Sequence, residues 1–401
     1  MAGGPRWVAN MQSLSVLVIH NQYQQPGGED AVVRAEVDLL RGAGNRVVLY
    51  ARNNSDIAGY GPLRKASLLA STTWNRRTYA DIRALIREHR PDIVHCHNFL
   101  PLVSPSAYYA CKSAGVPVVQ TLHNYRLLCP AGTLFANGQR CEGCSQSTAN
   151  AVRRGCYRSS HVQTAAVSLM LGIHRLRGTW KRNVDAYVTP SAFCRDYFVA
   201  AGLPEKKVHL KRNFLAHDPG RRAGRGDYAL FVGRLSPEKG VLEMIEAWRQ
   251  LPEVKLLVAG DGPLYFETRG AARRTNGHVR LLGQLSADET LARIRGARFL
   301  VFPSRWYEPF GMGLLEAAAC GVPAIASRIG AIPELVADHH TGLLFDPDNF
   351  SELVERVRWA WTHPAEMDEM GATARQFYLR NFTAEENYEA LMCIYRKLLP
   401  V

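Results

Sequence analysis

Short runs of aliphatic and β-branched residues alternate with helical stretches along nearly the whole chain, and this alternation restricts the fold most. In the first half the predicted strands cover residues 13–19, 47–51, 92–96, 116–122, 185–189 and 208–210. The second half repeats the pattern at residues 228–232, 255–259, 279–282, 299–302 and 324–327, with helical patterns between the strands, for example at residues 237–250 and 313–319. Strands separated by helices imply parallel pairing with right-handed crossovers. The sequence therefore predicts an α/β protein with two Rossmann-like, doubly wound parallel-sheet domains that face a cleft.

The domain boundaries follow from length and from local composition. At about 100–200 residues per domain, 401 residues suffice for two domains with separate cores. The stretch 213–227 is rich in Gly, Pro and Arg and is the predicted linker. We expect a first domain at 1–213 with a Cys-containing insertion at about 126–160, a second at 214–380, and a C-terminal helix at 381–401 that packs back on the first.

The excess positive charge lies in one half of the chain. The 49 Lys and Arg exceed the 36 Asp and Glu by 13. Residues 1–213 hold 27 basic and 12 acidic residues, a net of +15, whereas residues 214–401 hold 22 and 24, a net of −2. An anionic partner is therefore expected to dock on the first half.

Several classes of protein are disfavoured by composition. With 47% apolar and 21% charged residues, the chain is typical of a globular protein and unlike a long disordered one. Its longest uncharged apolar run, residues 162–173, is shorter than the ~18–20 residues that span a bilayer. Nine cysteines without a secretion signal argue against a disulfide framework and favour a cytoplasmic location.

Four motifs in the second half follow predicted strand ends. They are the turn that carries Arg234 and Lys239, the Gly-Asp-Gly-Pro turn at 260–263, the turn at 282–285, and the segment between Glu308 and Glu316. Arg234 and Lys239 can meet one anion, helped by the N-terminus of the helix that follows. Each motif alone is typical of turn chemistry or of a solvated helix face. Their common position at the ligand-binding edge of a parallel sheet predicts a binding site.

The second half resembles the retaining, nucleotide-sugar-dependent glycosyltransferases of family 4, which have the GT-B fold. The segments that carry the resemblance are FVGRLSPEKG, LLVAGDGP, LLGQLS, VFPSRWYEPFGMGLLEAAACGVPAIAS and IPELVADHHTGLLFDPDN. They cover essentially the whole second domain, and the first domain matches more loosely. The resemblance implies a nucleotide diphosphate sugar as donor substrate and no cofactor required for catalysis.

The resemblance also assigns roles to individual residues. Arg234 and Lys239 would hold the donor diphosphate, Glu308 a sugar hydroxyl and Glu316 the ribose hydroxyls. The implied catalytic residues are His123, Glu308, Arg234 and Lys239. The implied donor-binding residues are Gly27, Gly28, Gly233, Arg234, Lys239, Gly283, Leu285, Glu308, Phe310, Gly311, Met312, Leu315 and Glu316. Carboxylates suit vicinal hydroxyls and cations suit phosphates, so each role fits the side chain.

The first half offers histidines and a glycine pair at strand ends. Gly27 and Gly28 either let the main chain approach the diphosphate or form the turn that opens a helix. His123 ends a predicted strand, and in family 4 a histidine at this place lies beside the anomeric centre. His95, His97 and Asn98 are candidates for the acceptor site, with core or rim positions as the equal alternative.

Four cysteines in the insertion have a spacing that suits a metal. Cys129, Cys141, Cys144 and Cys156 are separated by 11, 2 and 11 residues. The central pair has the spacing of a zinc knuckle, and four thiolates can hold one tetrahedral Zn²⁺. A structural zinc, free thiols and a disulfide pair stay open as alternatives. Four sulfur ligands leave no open position, so such a zinc braces a loop and takes no part in catalysis.

The most basic segment has no acidic residue. Residues 143–184 contain seven Lys and Arg and no Asp or Glu, with Leu169, Ile173 and Leu176 at helical spacing. A basic amphipathic helix can lie on an anionic membrane surface, and a solvated basic face is the equal alternative. No aromatic stacking platform or nucleic-acid module accompanies the charges, so nucleic acid is not an expected partner.

One acidic motif is better explained as a turn than as a metal site. Asp346-Pro347-Asp348 has the D-x-D form that holds a metal in another glycosyltransferase fold. Because it follows a strand, contains Pro and precedes a helix, turn and N-cap chemistry is favoured. We therefore expect catalysis without a metal, with Arg234 and Lys239 stabilising the leaving group.

These observations together predict a retaining hexosyltransferase of cell-envelope or exopolysaccharide synthesis. Its acceptor would be a hydroxyl of a glycan or of a polyprenyl-diphosphate-linked glycan, because the basic half faces the acceptor. The protein would be cytoplasmic, or peripheral at the inner face of the membrane. The rival hypothesis is a non-catalytic nucleotide-sugar- or glycan-binding protein of the same fold. A phosphorylase or sucrose-type transferase ranks lower because no Lys lies in a pyridoxal-phosphate-like setting.

Overall fold

The computed structural model describes residues 13–24, 27–144 and 147–400, and the chain forms two compact units. The first unit comprises residues 1–134, 141–216 and 384–401, and the second comprises residues 135–140 and 217–383. The chain therefore returns to the first unit at its end, and the six residues 135–140 belong to the second.

The described residues form fourteen strands and sixteen α-helices. The strands are β1 Ser15–Gln22, β2 Arg46–Asn53, β3 Ile93–Asn98, β4 Val118–Thr121, β5 Phe135–Ala136, β6 Gln139–Arg140, β7 Ala186–Thr189, β8 Val208–Leu210, β9 Ala229–Val232, β10 Leu256–Ala259, β11 Val279–Gly283, β12 Phe299–Phe302, β13 Ala324–Ser327 and β14 Gly342–Phe345. The helices are α1 Gly28–Gly42, α2 Pro62–Ser71, α3 Arg76–His89, α4 Ser106–Ser113, α5 Ala149–Arg154, α6 His161–Leu176, α7 Thr179–Arg182, α8 Ala192–Ala200, α9 Val241–Trp248, α10 Tyr265–Arg273, α11 Ala287–Arg295, α12 Met312–Ala319, α13 Ile332–Leu335, α14 Phe350–Thr362, α15 Pro364–Asn381 and α16 Ala384–Arg396.

Each unit contains one six-stranded parallel sheet, as predicted. The first sheet has the order β2-β1-β3-β4-β7-β8 and the second β11-β10-β9-β12-β13-β14. In such sheets ligands bind beyond the carboxyl ends of the strands, where the strand order reverses. That point lies between β1 and β3 in the first sheet and between β9 and β12 in the second.

The sheets are buried by apolar side chains on the covering helices. In the first unit, Val33, Val37 and Leu40 of α1 pack with strand residues such as Val16 and Val18. Leu391 and Tyr395 of α16 join this core, so the C-terminal helix packs on the first unit as predicted. In the second unit the core centres on Trp248, Phe299 and the aliphatic residues of the central strands.

Three strands were absent from the sequence prediction, and one predicted helix is divided. They are β14, which has four residues, and β5 and β6, which form a two-residue antiparallel ladder too short to show a period. The helix predicted at 237–250 is a 3₁₀ turn, Pro237–Lys239, followed by α9. Gly240 separates them with φ +67°, a conformation that favours glycine.

None of the helices in the described residues combines the length and the apolar character that a bilayer span requires.

Candidate active site

The turn after β9 carries the two cations that the sequence predicted. Arg234 is exposed and makes no ion pair with any described residue, whereas Lys239 is partly buried. A side chain at Gly260 would place its Cβ 1.9 Å from the carbonyl oxygen of Gly233, and one at Gly240 would lie 2.2 Å from that of Pro303. The backbone is therefore closely packed around this turn, which fixes the position of the cations.

Lys239 and Glu308 form one ion pair at the point where the strand order reverses. The Lys239 Nζ lies 2.7 Å from Glu308 Oε2 and 3.0 Å from Oε1. Glu308 is only 6% exposed, so solvent screens the pair weakly. The sequence predicted separate roles for these residues, and the structure shows that they contact each other directly.

Further donors hold the Glu308 carboxylate. Ser304 Oγ and Trp306 Nε1 both donate to Oε2, at 2.9 and 2.8 Å. Oε1 accepts only from Lys239 among the described residues. The backbone is fixed as well, because Ala331 N donates to the Glu308 carbonyl oxygen at 2.9 Å. Oε1 is therefore the carboxylate oxygen that is available to a ligand hydroxyl.

The N-terminus of α12 lies four residues beyond Glu308. Gly311 has φ +113°, and its carbonyl oxygen accepts from Leu314 N and Leu315 N. The first two N–H groups of the helix, those of Met312 and Gly313, donate to no acceptor in the described residues. Such groups carry the positive end of the helix dipole and can bind oxygen atoms of a ligand.

Glu316 differs from Glu308 in having no hydrogen-bond partner among the described side chains. Burial raises the pKa of its carboxyl from 4.5 to about 7. The neighbouring residues Phe310 and Leu315, 5% and 1% exposed, belong to the core. The predicted donor contacts of these two residues can therefore involve only main-chain atoms, and the N–H of Leu315 is already used within the helix.

The turn that was predicted to hold the base follows β11. Gly283 has φ +72° and accepts a hydrogen bond from Gly260 N at 2.8 Å. Leu285 is partly exposed, and Ser286 then caps α11 by accepting from Glu289 N. The turns after β10 and β11 are thus connected at the same edge of the sheet as Glu308.

In the first unit, His123 contacts His97 beyond the carboxyl end of β4. The Nε2 of His123 lies 3.0 Å from the Nδ1 of His97. Burial lowers the pKa of His97 to about 3, and the same cause, reinforced by His97, holds the pKa of His123 well below its usual value. Both imidazoles are therefore neutral at physiological pH.

A buried glutamate lies behind these histidines. Glu36 of α1 is 1% exposed and pairs with Lys211, whose Nζ lies 2.6 Å from Oε2. Its Oε1 lies 3.1 Å from His95 Nδ1 and 3.2 Å from His97 Nε2. Burial alone would raise the pKa of Glu36, but Lys211 and the two histidines hold it well below its usual value.

Two of the three acceptor candidates are occupied within the fold. His95 is fully buried, and its two ring nitrogens contact Tyr395 Oη and Thr121 Oγ1, each at 2.7 Å. Asn98 Nδ2 donates to Asn21 O, and its Oδ1 accepts from Leu100 N. For His95 and Asn98 the core alternative therefore describes the structure, whereas His97 contacts the candidate catalytic residue.

The glycine pair opens α1. Gly27 N donates to Asp30 Oδ2 at 3.0 Å, and the φ of Gly27, −128°, is one that any residue can adopt. A Cβ at Gly27 would meet nothing within 4 Å. The turn alternative describes Gly27 in this structure, and both glycines are exposed and accessible to a ligand.

The four cysteines of the insertion are not joined by a disulfide in the part of the chain that the structure describes, and their thiols influence each other. Burial, followed by Cys129, Cys141 and Cys156, raises the pKa of Cys144 to about 11. Across the described residues, their sulfur atoms do not form a set of three or more within 4.8 Å of one another. The zinc site predicted from their spacing therefore stays a prediction.

The basic segment contains α5, α6 and α7, and α6 has an exposed apolar stripe. Val162, Leu169 and Leu176 are 62%, 61% and 90% exposed. Val167, Met170 and Leu171 cover the opposite face and are buried. The helix therefore has a core face and a second apolar face that is open to solvent.

Several polar residues of these sites were not singled out from the sequence, among them Glu36, Lys211, Ser304 and Trp306. Glu36 interrupts the apolar face of α1 between Val33 and Leu40, and an acidic residue at such a position was an available signal. Lys211 and Trp306 had no comparable signal, because their role depends on contacts between distant parts of the chain. The predicted turn at Asp346 and Asp348 is confirmed, since Asp348 N donates to Asp346 Oδ1 at 2.9 Å.

Two protein-family models match the chain. "Glycosyltransferase Family 4" matches residues 26–216 and "Glycosyl transferases group 1" matches residues 216–377. Together they account for an uninterrupted stretch from residue 26 to residue 377.

Curated relatives and solved structures agree with these matches. An uncharacterised glycosyltransferase of Methanocaldococcus jannaschii is 34% identical over 43% of this chain and 49% of its own length. Glycogen synthase of Mycobacterium tuberculosis is 29% identical over 74% of this chain and 66% of its own length. The chain thus spans about half to two thirds of these relatives. The fold is shared with sucrose-phosphate synthase from Thermosynechococcus elongatus, which has a TM-score of 0.73 and 19% sequence identity over 96% of this chain and 99% of the other. It is also shared with Anabaena HepE in complex with UDP, which has a TM-score of 0.66 and 17% identity over 96% of this chain and 100% of the other.

Proposed function

We propose, since this chain belongs to glycosyltransferase family 4 and has the GT-B fold, that it transfers a hexose from a nucleotide diphosphate sugar to an acceptor hydroxyl with retention of configuration. The single observation that carries the proposal is the Lys239–Glu308 pair at the reversal of strand order in the second unit. It places a cation for phosphate and a carboxylate for hydroxyl groups side by side.

The donor would bind along the loops of the second unit. The exposed Arg234 and the partly buried Lys239 would contact the diphosphate. Glu308 Oε1 would accept a hydrogen bond from a sugar hydroxyl, while Ser304 and Trp306 hold Oε2. Glu316 would accept from the ribose hydroxyls, and the turn at Gly283 and Leu285 would contact the base. HepE was crystallised with UDP, and this supports a uridine nucleotide as the first donor to test.

The proposed chemistry needs stabilisation of the leaving group more than it needs a strong base. As the anomeric bond breaks, the diphosphate gains negative charge, which Arg234, Lys239 and the α12 N-terminus would stabilise. A departing phosphate oxygen would take the proton of the incoming hydroxyl, so that attack occurs on the same face of the sugar. Without a metal, these cations would stabilise the negative charge of the diphosphate, as a metal ion does for phosphates in other transferases.

The acceptor would bind to the basic first half of the chain. His123 would contact the sugar beside the anomeric centre. The exposed apolar stripe of α6, with Arg175 and Arg177 at its C-terminal end, suits the surface of an anionic membrane. These features support a lipid-linked glycan acceptor and a peripheral position at the inner face of the membrane, in polysaccharide synthesis.

The experiment is a donor panel. Purified protein is incubated with UDP- and GDP-linked hexoses, and the release of nucleoside diphosphate is compared with the enzyme-free blank. Lys239→Ala and Arg234→Ala are expected to reduce release at least 100-fold, because each removes a cation from the leaving group. Lys255→Ala is the matched control: this lysine precedes β10, at the opposite edge of the same sheet, and pairs with exposed Asp227.

The outcomes of the donor panel distinguish a transferase from the alternatives. Release that depends on Lys239 and Arg234 but not on Lys255 supports the transferase. Near-normal turnover in both cation variants would remove the phosphate assignment, and tight binding of donors without release would favour a non-catalytic binding protein.

A further inference from the structure

A continuous set of contacts in the first unit joins His123 to a buried ion pair. His123 Nε2 lies 3.0 Å from His97 Nδ1, and His97 Nε2 lies 3.2 Å from Glu36 Oε1. Glu36 Oε2 is 2.6 Å from Lys211 Nζ, which also donates to Asn387 Oδ1 at 3.2 Å. Five segments of the first unit supply these groups: α1, β3, α16 and the loops that follow β4 and β8.

The ion pair decides where the proton of His97 lies. The Lys211 ammonium keeps Glu36 ionised, and an ionised carboxylate has only lone pairs to offer. His97 Nε2 and Glu36 Oε1 are both buried without a hydrogen-bond partner among the described residues, so their approach to 3.2 Å is an electrostatic contact. A bare Nε2 on His97 would place a lone pair against Oε1 of that carboxylate. The neutral His97 ring therefore carries its proton on Nε2 and leaves Nδ1 bare.

The same reasoning applies to the next ring. Since His97 Nδ1 is an acceptor, the contact of 3.0 Å requires His123 to donate from Nε2. His123 is neutral, so its second nitrogen, Nδ1, is then bare. Among the described residues none hydrogen-bonds this nitrogen, and the ring is partly exposed beyond the end of β4.

We propose that Glu36 and His97 are positioning residues that fix His123 in the Nε2–H tautomer, so that its Nδ1 lone pair faces the substrate. This inference rests on the proposed function for the identity of the substrate, but the tautomer itself does not. In this form His123 accepts a hydrogen bond from a sugar hydroxyl and cannot protonate the leaving group. The charge of the ion pair thus determines which nitrogen of each of the two rings carries the proton.

The cluster of Glu36, His95 and His97 is better described as this relay than as a metal site. Their ligand atoms lie within 4.8 Å of one another. However, Glu36 Oε2 is already paired with an ammonium, and both nitrogens of His95 contact hydroxyl groups. A cation here would lie beside Lys211, where charge repulsion opposes binding.

The direct test is the tautomer of His123 in the intact protein. The 13 histidines are labelled with ¹⁵N, and the signals of His123 are assigned by comparison with His123→Gln. Correlations between ring nitrogens and ring protons distinguish a protonated from a bare nitrogen. We expect protonated Nε2 and bare Nδ1 in the wild type. A proton on Nδ1, or a doubly protonated ring at pH 7, would overturn the proposal.

A substitution at the start of the relay should reverse it. In Glu36→Gln the amide oxygen turns to the donor Lys211, and the NH₂ group turns to His97. His97 Nε2 then becomes the acceptor and Nδ1 the donor, so that His123 is expected to move its proton to Nδ1. A folded Glu36→Gln protein that keeps the wild-type tautomer would contradict the relay.

A second variant serves if that protein does not fold. His97→Phe leaves the Glu36–Lys211 pair intact but removes the acceptor of His123, so both tautomers of His123 should be populated. Retention of the pure Nε2–H form would contradict the proposal. Tyr395→Phe is the matched control, because it removes the hydroxyl on His95 without interrupting the path to His123, and it should keep the wild-type tautomer.

Kinetics separate positioning from binding. His97→Phe is expected to lower kcat for donor turnover about 10- to 100-fold, with UDP affinity by calorimetry within about twofold, because the nucleotide contacts lie in the second unit. An unchanged kcat would count against the relay. If no donor is turned over by the wild type, the proposed function fails, while the tautomer measurement still decides the relay by itself.

Discussion

At the scale of single residues, Glu308 and Glu316 show how the surroundings assign different tasks to the same side chain. Glu308 accepts from Lys239, Ser304 and Trp306. Glu316, eight residues later, has no such donors, and burial raises its pKa to about 7. One carboxylate is held in place by its partners, and the other changes charge near physiological pH.

This difference predicts a pH dependence of nucleotide binding. Ribose hydroxyls donate best to an ionised carboxylate, so UDP affinity should rise as the pH increases from 6 to 8 and Glu316 loses its proton. Glu316→Gln should bind more weakly and without this rise, as measured by calorimetry. Glu246→Gln, an exposed glutamate of α9, should keep the wild-type profile; a rise that persists in Glu316→Gln would assign the dependence elsewhere.

The Glu316 carboxyl is expected to make folding stability fall as the pH rises, whereas it makes UDP affinity increase. The folded protein binds the Glu316 proton more tightly than the unfolded chain does, with a pKa of about 7 against 4.5. Its contribution to folding is therefore present below pH 4.5 and is lost as the pH rises through 7.

Lys211 is the residue whose loss should destabilise the first unit most specifically. Lys211→Met keeps the length of the side chain but leaves the Glu36 carboxylate buried without its cation, which costs about 3–5 kcal/mol. Because the pKa of Glu36 is depressed in the folded state, the stabilisation is present above pH 4.5 and is lost as the pH falls.

Denaturant titrations at pH 7 and pH 4 check this expectation. The midpoint of Lys211→Met should lie well below that of the wild type at pH 7 and closer to it at pH 4. Lys255→Met, which removes an exposed lysine, should change neither midpoint appreciably. Equal midpoints for Lys211→Met and wild type at pH 7 would show that the buried pair is not stabilising.

At the scale of elements, the apolar stripe of α6 gives the membrane proposal its test. Leu176→Glu and Leu169→Glu place a carboxylate where an apolar side chain would enter the headgroup region, so binding to vesicles with anionic lipid should fall at least tenfold in flotation assays. Leu379→Glu, on α15 of the second unit, is the matched control for an exposed leucine. Equal recovery of wild type with anionic and neutral vesicles would mean that the basic face is merely solvated.

The cysteine-containing insertion makes a separate prediction about metal content. If Cys129, Cys141, Cys144 and Cys156 hold a structural zinc, purified protein should contain about one Zn²⁺ per chain, and Cys144→Ser should lose it and melt at lower temperature. Cys393→Ser, an exposed cysteine of α16, is the control. Metal-free wild type with unchanged thermal stability would favour the free-thiol alternative.

The pattern of apolar residues predicted most of the helices and strands, and the elements that it missed or misplaced depend on tertiary contacts. The predicted strand at 299–302 agrees with β12, because a buried parallel strand is a continuous apolar run. The helix predicted at 237–250 is divided, since close packing of Gly240 against Pro303 is not readable from local sequence. For the same reason the sequence indicated Lys239 and Glu308 individually but not their contact, and it gave no sign of Lys211 beside Glu36.

At the scale of the whole molecule, the charge asymmetry agrees with a division of labour between the units. Residues 1–213 carry a net charge of +15 and residues 214–401 a net charge of −2. The cations proposed for the donor lie in the nearly neutral half, so the excess charge is left for another partner. An anionic, lipid-linked acceptor is the partner that such a distribution favours.

The anomeric configuration of the product tests the proposed transfer of a sugar with retention. The protein is incubated with its preferred nucleotide sugar and a lipid-linked glycan extract, and the product is examined by mass spectrometry and by NMR of the new anomeric proton. We predict a product heavier by one hexose residue whose anomeric configuration is that of the donor. Inverted configuration, or bound donor without any product, would contradict retaining transfer by this protein.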